Sequence, residues 1–539
     1  MRLKNLFLAA CTAALCVSAP AIAQIEIDQL SPASAYDSGI LDGQQGALDS
    51  ALWQGTSAAR AVKLIDAIDS ELSPVSRSLV RAALLSGGVP PQADDGLDRE
   101  AYTVARFKAV LAAGNMATFD ELAARNNLSE SEASLSKIFT EKALLAGHTD
   151  KACSLTDSVT QDRRAPYWSK IRAYCHYLRD ETPAAETTAD ILRRGGHSDD
   201  AFFSLIGGLT GASTKKPELA KLSQPLHIAM ARDYLTDHPK QKYSVDQMPA
   251  ILAAGIALSD EVQSWDRWAA LKASAHILSA EQVGQVLNGL SDEPLQDLEA
   301  LKNTSSWTSA QWGQAATALR TSIDIDASAT LAAEIFKRAE KAGILEPVAK
   351  ALANDISIIP ATFLATEAPG LFARIAVMNN DLSALGAIYQ TLPEDDDLRG
   401  RIALASDALG GGFIQSALGT DIETRLVMSG SAQKRAIRDT HIAAALGANL
   451  PDAALDAMTG RKSQASGALP SGSLLALRAV AKRGSKAEAA LMAASLIGNK
   501  PLTTLRDEDL AALLAAFTDA GMYQTAGRIA AADFISGIN

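Results

Sequence analysis

The sequence predicts an all-α protein: an α-solenoid of antiparallel helical hairpins in units of 33–37 residues, in one arm or two. Three observations carry this. Gly447, Gly484 and Gly521 stand 37 residues apart, each ending one alanine- and leucine-rich stretch and preceding another. Hydrophobic residues make up 47% of the chain but aromatic ones only 5%, so Ala and Leu must form the core. Apolar residues also recur at helical spacing, as where Leu510, Leu513, Leu514 and Phe517 fall at i, i+3, i+4 and i+7.

The first 23 residues read as an export signal. Arg2 and Lys4 give a positive start, residues 6–18 a short apolar stretch, and Ala21, Ile22 and Ala23 a small-x-small cleavage site. Cleavage between Ala23 and Gln24 and delivery to a Gram-negative periplasm are expected. Lipid attachment at Cys11 is the weaker reading, because only a few apolar residues precede that cysteine. No later run reaches the roughly 18 uninterrupted apolar residues that a membrane helix needs. Residues 24–55 are expected to form an extended N-terminal arm rich in Ser, Asp, Gly and Gln, with residues 24–27 the only brief strand candidate.

Residues 56–210 should hold the first helical repeats. Gly114 and Gly147 each close an apolar helical stretch and lie 33 residues apart, and a further 33 residues reaches Asp180, which takes the place of glycine at the turn. Glycine suits a helix end because it adopts the left-handed conformation without a side-chain clash. Thr182 and Pro183 then start the next helix. Within this region residues 150–159 and 166–179 read as two helices joined by a short loop. If they pack antiparallel, Cys153 lies within about a turn of Cys175. Cys11 and Cys16 leave with the signal, so these two remain, and an oxidising compartment favours a disulfide between them.

Ala143-Leu144-Leu145-Ala146-Gly147 with Ala152, and the stretch from Ala516 to Gly521 with Ala526, resemble tetratricopeptide-like repeats. The resemblance covers about half of the chain. It implies stacked two-helix units, although the aromatic and proline landmarks of that family are mostly missing.

Residues 211–410 form a middle helical region where the cadence blurs, with 246–258 and 262–278 still reading as helices. The glycines at 207, 208 and 211 and those at 410–412 mark breaks. Four of the six tryptophans gather in this region, at Trp265, Trp268, Trp307 and Trp312. Indole faces stack on sugars or fill interface pockets, so these four are the candidate binding residues. The favoured reading, however, is that they fill the bend where the cadence blurs. Tyr167, Trp168, Tyr174 and Tyr177 form a second aromatic group that should pack around the disulfide. Residues 411–539 carry the C-terminal repeats.

Motifs for catalysis are sparse. The seven histidines are scattered without the paired spacing of a helical zinc site, so no metal or cofactor is expected. Ser-x-x-Lys occurs at Ser134, Ser213 and Ser431, at a frequency chance explains, and its Lys-Thr-Gly companion is absent. Glu394-Asp395-Asp396-Asp397 is the densest acidic run, and helix capping accounts for it better than a cation site.

Without Arg2 and Lys4, 48 basic residues face 62 acidic ones, a formal charge of −14, which argues against nucleic acid as partner. The resulting expectation is an exported, non-catalytic scaffold that binds an envelope protein or a glycan polymer. The main rival is a glycan-active enzyme on a helical toroid, a lyase, a hydrolase or a lytic transglycosylase-like protein. A periplasmic chaperone is a third reading.

Overall fold

The computed structural model describes residues 38–537, apart from 44, 70, 94–95, 114–115, 131–132, 218, 241–244, 246–247, 260–264, 294, 296, 395, 411–421 and 460–467. The export signal, Cys11, the strand candidate at 24–27, Gly114, Asp395 and the glycines at 411 and 412 lie outside these. Among the described residues the secondary structure is helical, with one isolated parallel bridge between Ser57 and Gln92. No described helix is long and apolar enough to cross a membrane.

Local chemistry explains a number of helix ends. Ser73 opens the helix Pro74–Leu85 by accepting from the Ser76 amide, and Pro74 sits at the first position, where a missing N–H costs nothing. Ser279 with Gln282 and Thr308 with Gln311 form reciprocal capping boxes. Asp396 caps the helix Asp397–Leu409 through the Leu398 amide at 2.9 Å, so the acidic run does serve a helix start. At the other ends, Gly147, Gly447, Gly484 and Gly521 all have positive φ, and Asp180 takes the same left-handed conformation at φ 59°. One predicted break moves: Gly207 and Gly208 lie inside the helix Asp200–Leu209. A side chain at Gly208 would meet Tyr234 at 3.0 Å and Pro217 at 3.2 Å, so this glycine serves close packing rather than a turn.

Neighbours in sequence pack on one another, among them Ser136–Leu145 on Thr149–Ser158, and Pro166–Leu178 on Thr182–Arg194. The cysteine hairpin forms as its spacing predicts, with Cys153 and Cys175 at disulfide distance and their Cα atoms 5.6 Å apart. Replacing both cysteines by alanine should cost about 3 kcal/mol, given the loop they close. A urea titration under oxidising and reducing conditions checks this, since reduction should mimic the double variant.

Among the described residues, long-range packing joins the N-terminal, middle and C-terminal regions. The middle helix Ala250–Ala257 lies on Gly96–Ala113 and on Ser136–Leu145. The C-terminal helix Lys486–Ile497 lies on Pro74–Leu85 and on Ala58–Asp66. A buried polar clasp joins the two ends. Thr56 donates to Glu488 at 2.7 Å and faces Ser485 at 2.5 Å, while Arg60 and Arg483 reach the same carboxylate at 3.1 and 2.6 Å. The Ala487 amide donates to the Leu52 carbonyl at 2.8 Å, and the Gly498 carbonyl accepts from the Ser73 amide and the Ser76 hydroxyl.

The expected extended arm is corrected over its described part. Residues 38–55 turn tightly against the fold, with Leu48, Leu52 and Trp53 buried. Fully buried Arg106 holds this segment in place by donating to the carbonyls of Leu84, Ser38 and Ser86. Apolar anchors at intervals of a few residues outweigh the polar composition that made the segment look free.

A second buried polar knot secures the C-terminus. Asp439 and Asp533, both fully buried, lie among Arg425, Arg435 and Arg438. Arg435 Nε stands 2.8 Å from Asp439 as a close ion pair, although it is not aligned as a hydrogen bond. Arg401 donates to the Phe534 carbonyl at 2.6 Å, and crowding lowers its pKa to about 10, with burial the main cause and neighbouring Arg435 adding to it.

Candidate functional site

Trp268, Trp307 and Trp312 converge but do not present an open face. Asp266 caps the helix Arg267–Ser274 through the Ala269 amide, which places Trp268 in its first turn. The Thr308 capping box starts Ser309–Thr321 and places Trp312. Trp268 stacks on Trp312 with ring centroids 4.2 Å apart, and Trp307 meets Trp312 edge-on at 5.0 Å. The Trp307 indole donates to the Leu301 carbonyl, and Arg338 covers its ring at 4.6 Å. Trp265 is buried too, and precedes the helix rather than sharing a helical face with Trp268. With all four indoles buried, the expected sugar- or partner-stacking platform is corrected to a packing cluster. In a chain this rich in alanine, large rings fill the volume where small residues would leave a void.

A depression of about 370 Å³ lies beside this cluster, between residues 302–305 and the end of the helix Ile325–Lys341. Three of its five charged residues are paired, while Lys337 and Lys341 are exposed. Arg338 is held by Glu334 and by the Leu301 and Lys302 carbonyls, and Lys302 by Glu299.

A different group of residues has charges left over. Arg77 and Arg81 stand one turn apart on Pro74–Leu85. Glu346 and Lys350 stand one turn apart on Leu345–Ala351, paired at 2.6 Å. His276 lies in the short 3-10 turn Ala275–Ile277, which packs on Leu345–Ala351 and on Ala250–Ala257. Its Nε2 donates to the Gly343 carbonyl at 3.0 Å. The Glu346 charge acts on both arginines, and the Arg77 charge acts on His276.

Arg81 is exposed to solvent, yet desolvation by the surrounding protein is the largest influence on it and lowers its pKa. Burial similarly lowers Arg77, with Glu346 opposing the shift. At Glu346 burial pushes the carboxyl up, but Lys350 and Arg77 outweigh it and leave its pKa below the ordinary value.

His276 is pushed down to about 4, first by burial and then by the charge of Arg77. Neutral at pH 7, with its proton on Nε2, it is too weak a base for proton abstraction there. Because its native pKa lies below the ordinary 6.5, the unfolded chain binds the extra proton first, and stability should fall as pH drops from about 6.5 to about 4. His276→Gln keeps a donor for Gly343 and should flatten that part of a stability–pH curve. An unchanged curve would refute the assignment.

A second crowded group lies nearby. Gly96–Ala113 packs on both Pro74–Leu85 and Ser136–Leu145. On these helices Lys108 and Lys137 act on Glu141, which faces Tyr167, and Lys137 lies 4.7 Å over the Tyr167 ring. Burial raises the Glu141 carboxyl above its ordinary value. Together the two groups hold five cations and two carboxylates, within a chain of 50 basic and 62 acidic residues. The sequence singled out none of them, since the only local sign was the one-turn spacing of Arg77 and Arg81. No family model, curated protein or solved structure matches this chain.

Proposed function

We propose that this protein is an exported, non-catalytic scaffold of the cell envelope. It is a stack of antiparallel helical hairpins, released into the periplasm by removal of residues 1–23, that binds a protein or polymer partner. The observation that supports this is the packing of helices on their neighbours in sequence, among them Ser136–Leu145 on Thr149–Ser158 and Pro166–Leu178 on Thr182–Arg194. Shape and charge then supply the affinity, as expected of a repeat protein offering an extended surface.

Crosslinking in cells followed by identification of the partner tests the reading directly. The purified protein should bind an envelope component saturably and turn nothing over; cleavage of peptidoglycan or another polysaccharide would sink the proposal. One observation favours the glycan-active alternative, the raised carboxyl of Glu141, since glycosidases need an acid of that kind. On that reading Glu141→Gln would abolish the cleavage.

A further inference from the structure

Among the described residues the helix contacts run in a closed circuit. Pro74–Leu85 packs on Gly96–Ala113, which meets Ala250–Ala257, and the turn Ala275–Ile277 links that helix to Leu345–Ala351. Contacts then pass to Pro369–Met378, Tyr523–Phe534, Asp507–Asp519 and Lys486–Ile497, and the last of these returns to Pro74–Leu85. The circuit closes at the polar clasp, where Thr56 and Glu488 meet across 432 positions of sequence.

Both sides of this seam need each other. Lys486–Ile497 is covered all round, since Ala487, Glu488, Ala489, Ala490 and Leu491 follow one another without exposure. Pro74–Leu85 buries Leu79, Val80 and residues 82–85, and Lys486–Ile497 is its main neighbour. Glu488 is a buried carboxylate whose partners Thr56 and Arg60 come from the other end of the chain, and a carboxylate buried without partners is costly. Delivery from the N-terminus presents Ala58–Asp66 and Pro74–Leu85 first and their partner hundreds of residues later, and closing so long a loop is slow.

We infer that the seam is a folding latch. The first two helices become stable only when Lys486–Ile497 docks on them, so the end of the chain completes its beginning. On the proposed export route this keeps the leading helices unpacked while the rest of the chain crosses the membrane.

Amide hydrogen exchange in the full-length purified protein tests the latch. Glu488→Gln keeps the shape and removes the charge. It should speed exchange about ten- to a hundred-fold in Ala58–Asp66, Pro74–Leu85 and Lys486–Ile497 together. Thr56→Val, on the opposite side, should speed it in the same three helices, because coupling is reciprocal. Thr182–Arg194, outside the circuit, should keep its protection. In pulse-labelled refolding of the parent, the three seam helices should become protected in one phase, later than Thr182–Arg194.

A gain-of-stability variant covers the case in which the others fail to fold. The Thr56 and Ser485 hydroxyls stand 2.5 Å apart, so Thr56→Cys with Ser485→Cys should form a disulfide that slows exchange on both sides of the seam. The inference is overturned if Glu488→Gln affects Lys486–Ile497 alone, if the crosslink protects one side only, or if the first two helices are protected early in refolding. The export route is tested separately, by whether the chain recovered from the periplasm begins at Gln24.

Discussion

Asp533→Ala should destabilise the C-terminal helices by about 3–5 kcal/mol, the usual cost of removing one partner from a buried ion pair. Asp533 is fully buried and accepts from Arg438 at 2.7 and 3.0 Å and from Arg435 at 2.9 Å. Arg438 also reaches the Leu505 and Leu502 carbonyls and Asp507, so it cannot swing out to water when its partner goes. Two guanidinium groups would then stay buried without their shared counter-charge.

The pH dependence follows from the same contacts. Burial pushes the Asp533 carboxyl up, but the hydrogen bond from Arg438 and the charges of Arg435 and Arg438 outweigh it and hold it below the ordinary 3.8. A depressed carboxyl stabilises fully above its unfolded value, and that contribution is lost as pH falls through the native one. The parent should therefore lose stability below about pH 4 by a margin that Asp533→Ala lacks. Hydrogen exchange along Tyr523–Phe534, read beside a urea midpoint, locates the effect. Protection unchanged from the parent would mean that the knot does not hold this helix.

Gly527→Ala should cost about 3 kcal/mol, at the upper end of what overpacking usually costs. Gly527 lies within Tyr523–Phe534 where it crosses Asp397–Leu409, and a methyl group there would fall 2.2 Å from the Ala408 carbonyl oxygen and 3.1 Å from its carbon. The obstacle is backbone, so it cannot turn aside as a flexible side chain could, and the helices must separate. Buried Ile402, Ala405 and Ala530 would lose contacts with them. The sign is diagnostic, because alanine favours an isolated helix by about 1 kcal/mol over glycine. A peptide of residues 523–534 should gain helicity on the substitution while the whole protein loses stability. A protein that became more stable would show that the crossing yields easily.

Much of the fold was legible where a few adjacent residues decide the outcome. Gly147, Asp180, Gly447, Gly484 and Gly521 adopt the left-handed turns that their positions imply. The helices Thr149–Ser158 and Pro166–Leu178 bring Cys153 to Cys175 as their loop requires. Composition misled where burial overrode it. Residues 38–55 look polar but are anchored by Leu48, Leu52 and Trp53, while Gly207 and Gly208 look like a break but let a helix pack closely. For Trp268, Trp307 and Trp312, the sequence could not say whether the ring faces meet solvent or one another.

The candidate site was illegible for a plainer reason. Arg77, Arg81, His276 and Glu346 share no motif, and nothing around any one of them indicates the others. Sequence alone determined the helical class, the turn positions and the cysteine hairpin, because dihedral preference, capping and apolar periodicity act over one or two turns. Only tertiary structure decided that Thr56 meets Glu488 and that Arg438 meets Asp533. Those meetings follow from how whole helix faces fit across hundreds of intervening residues, and no local preference encodes that fit.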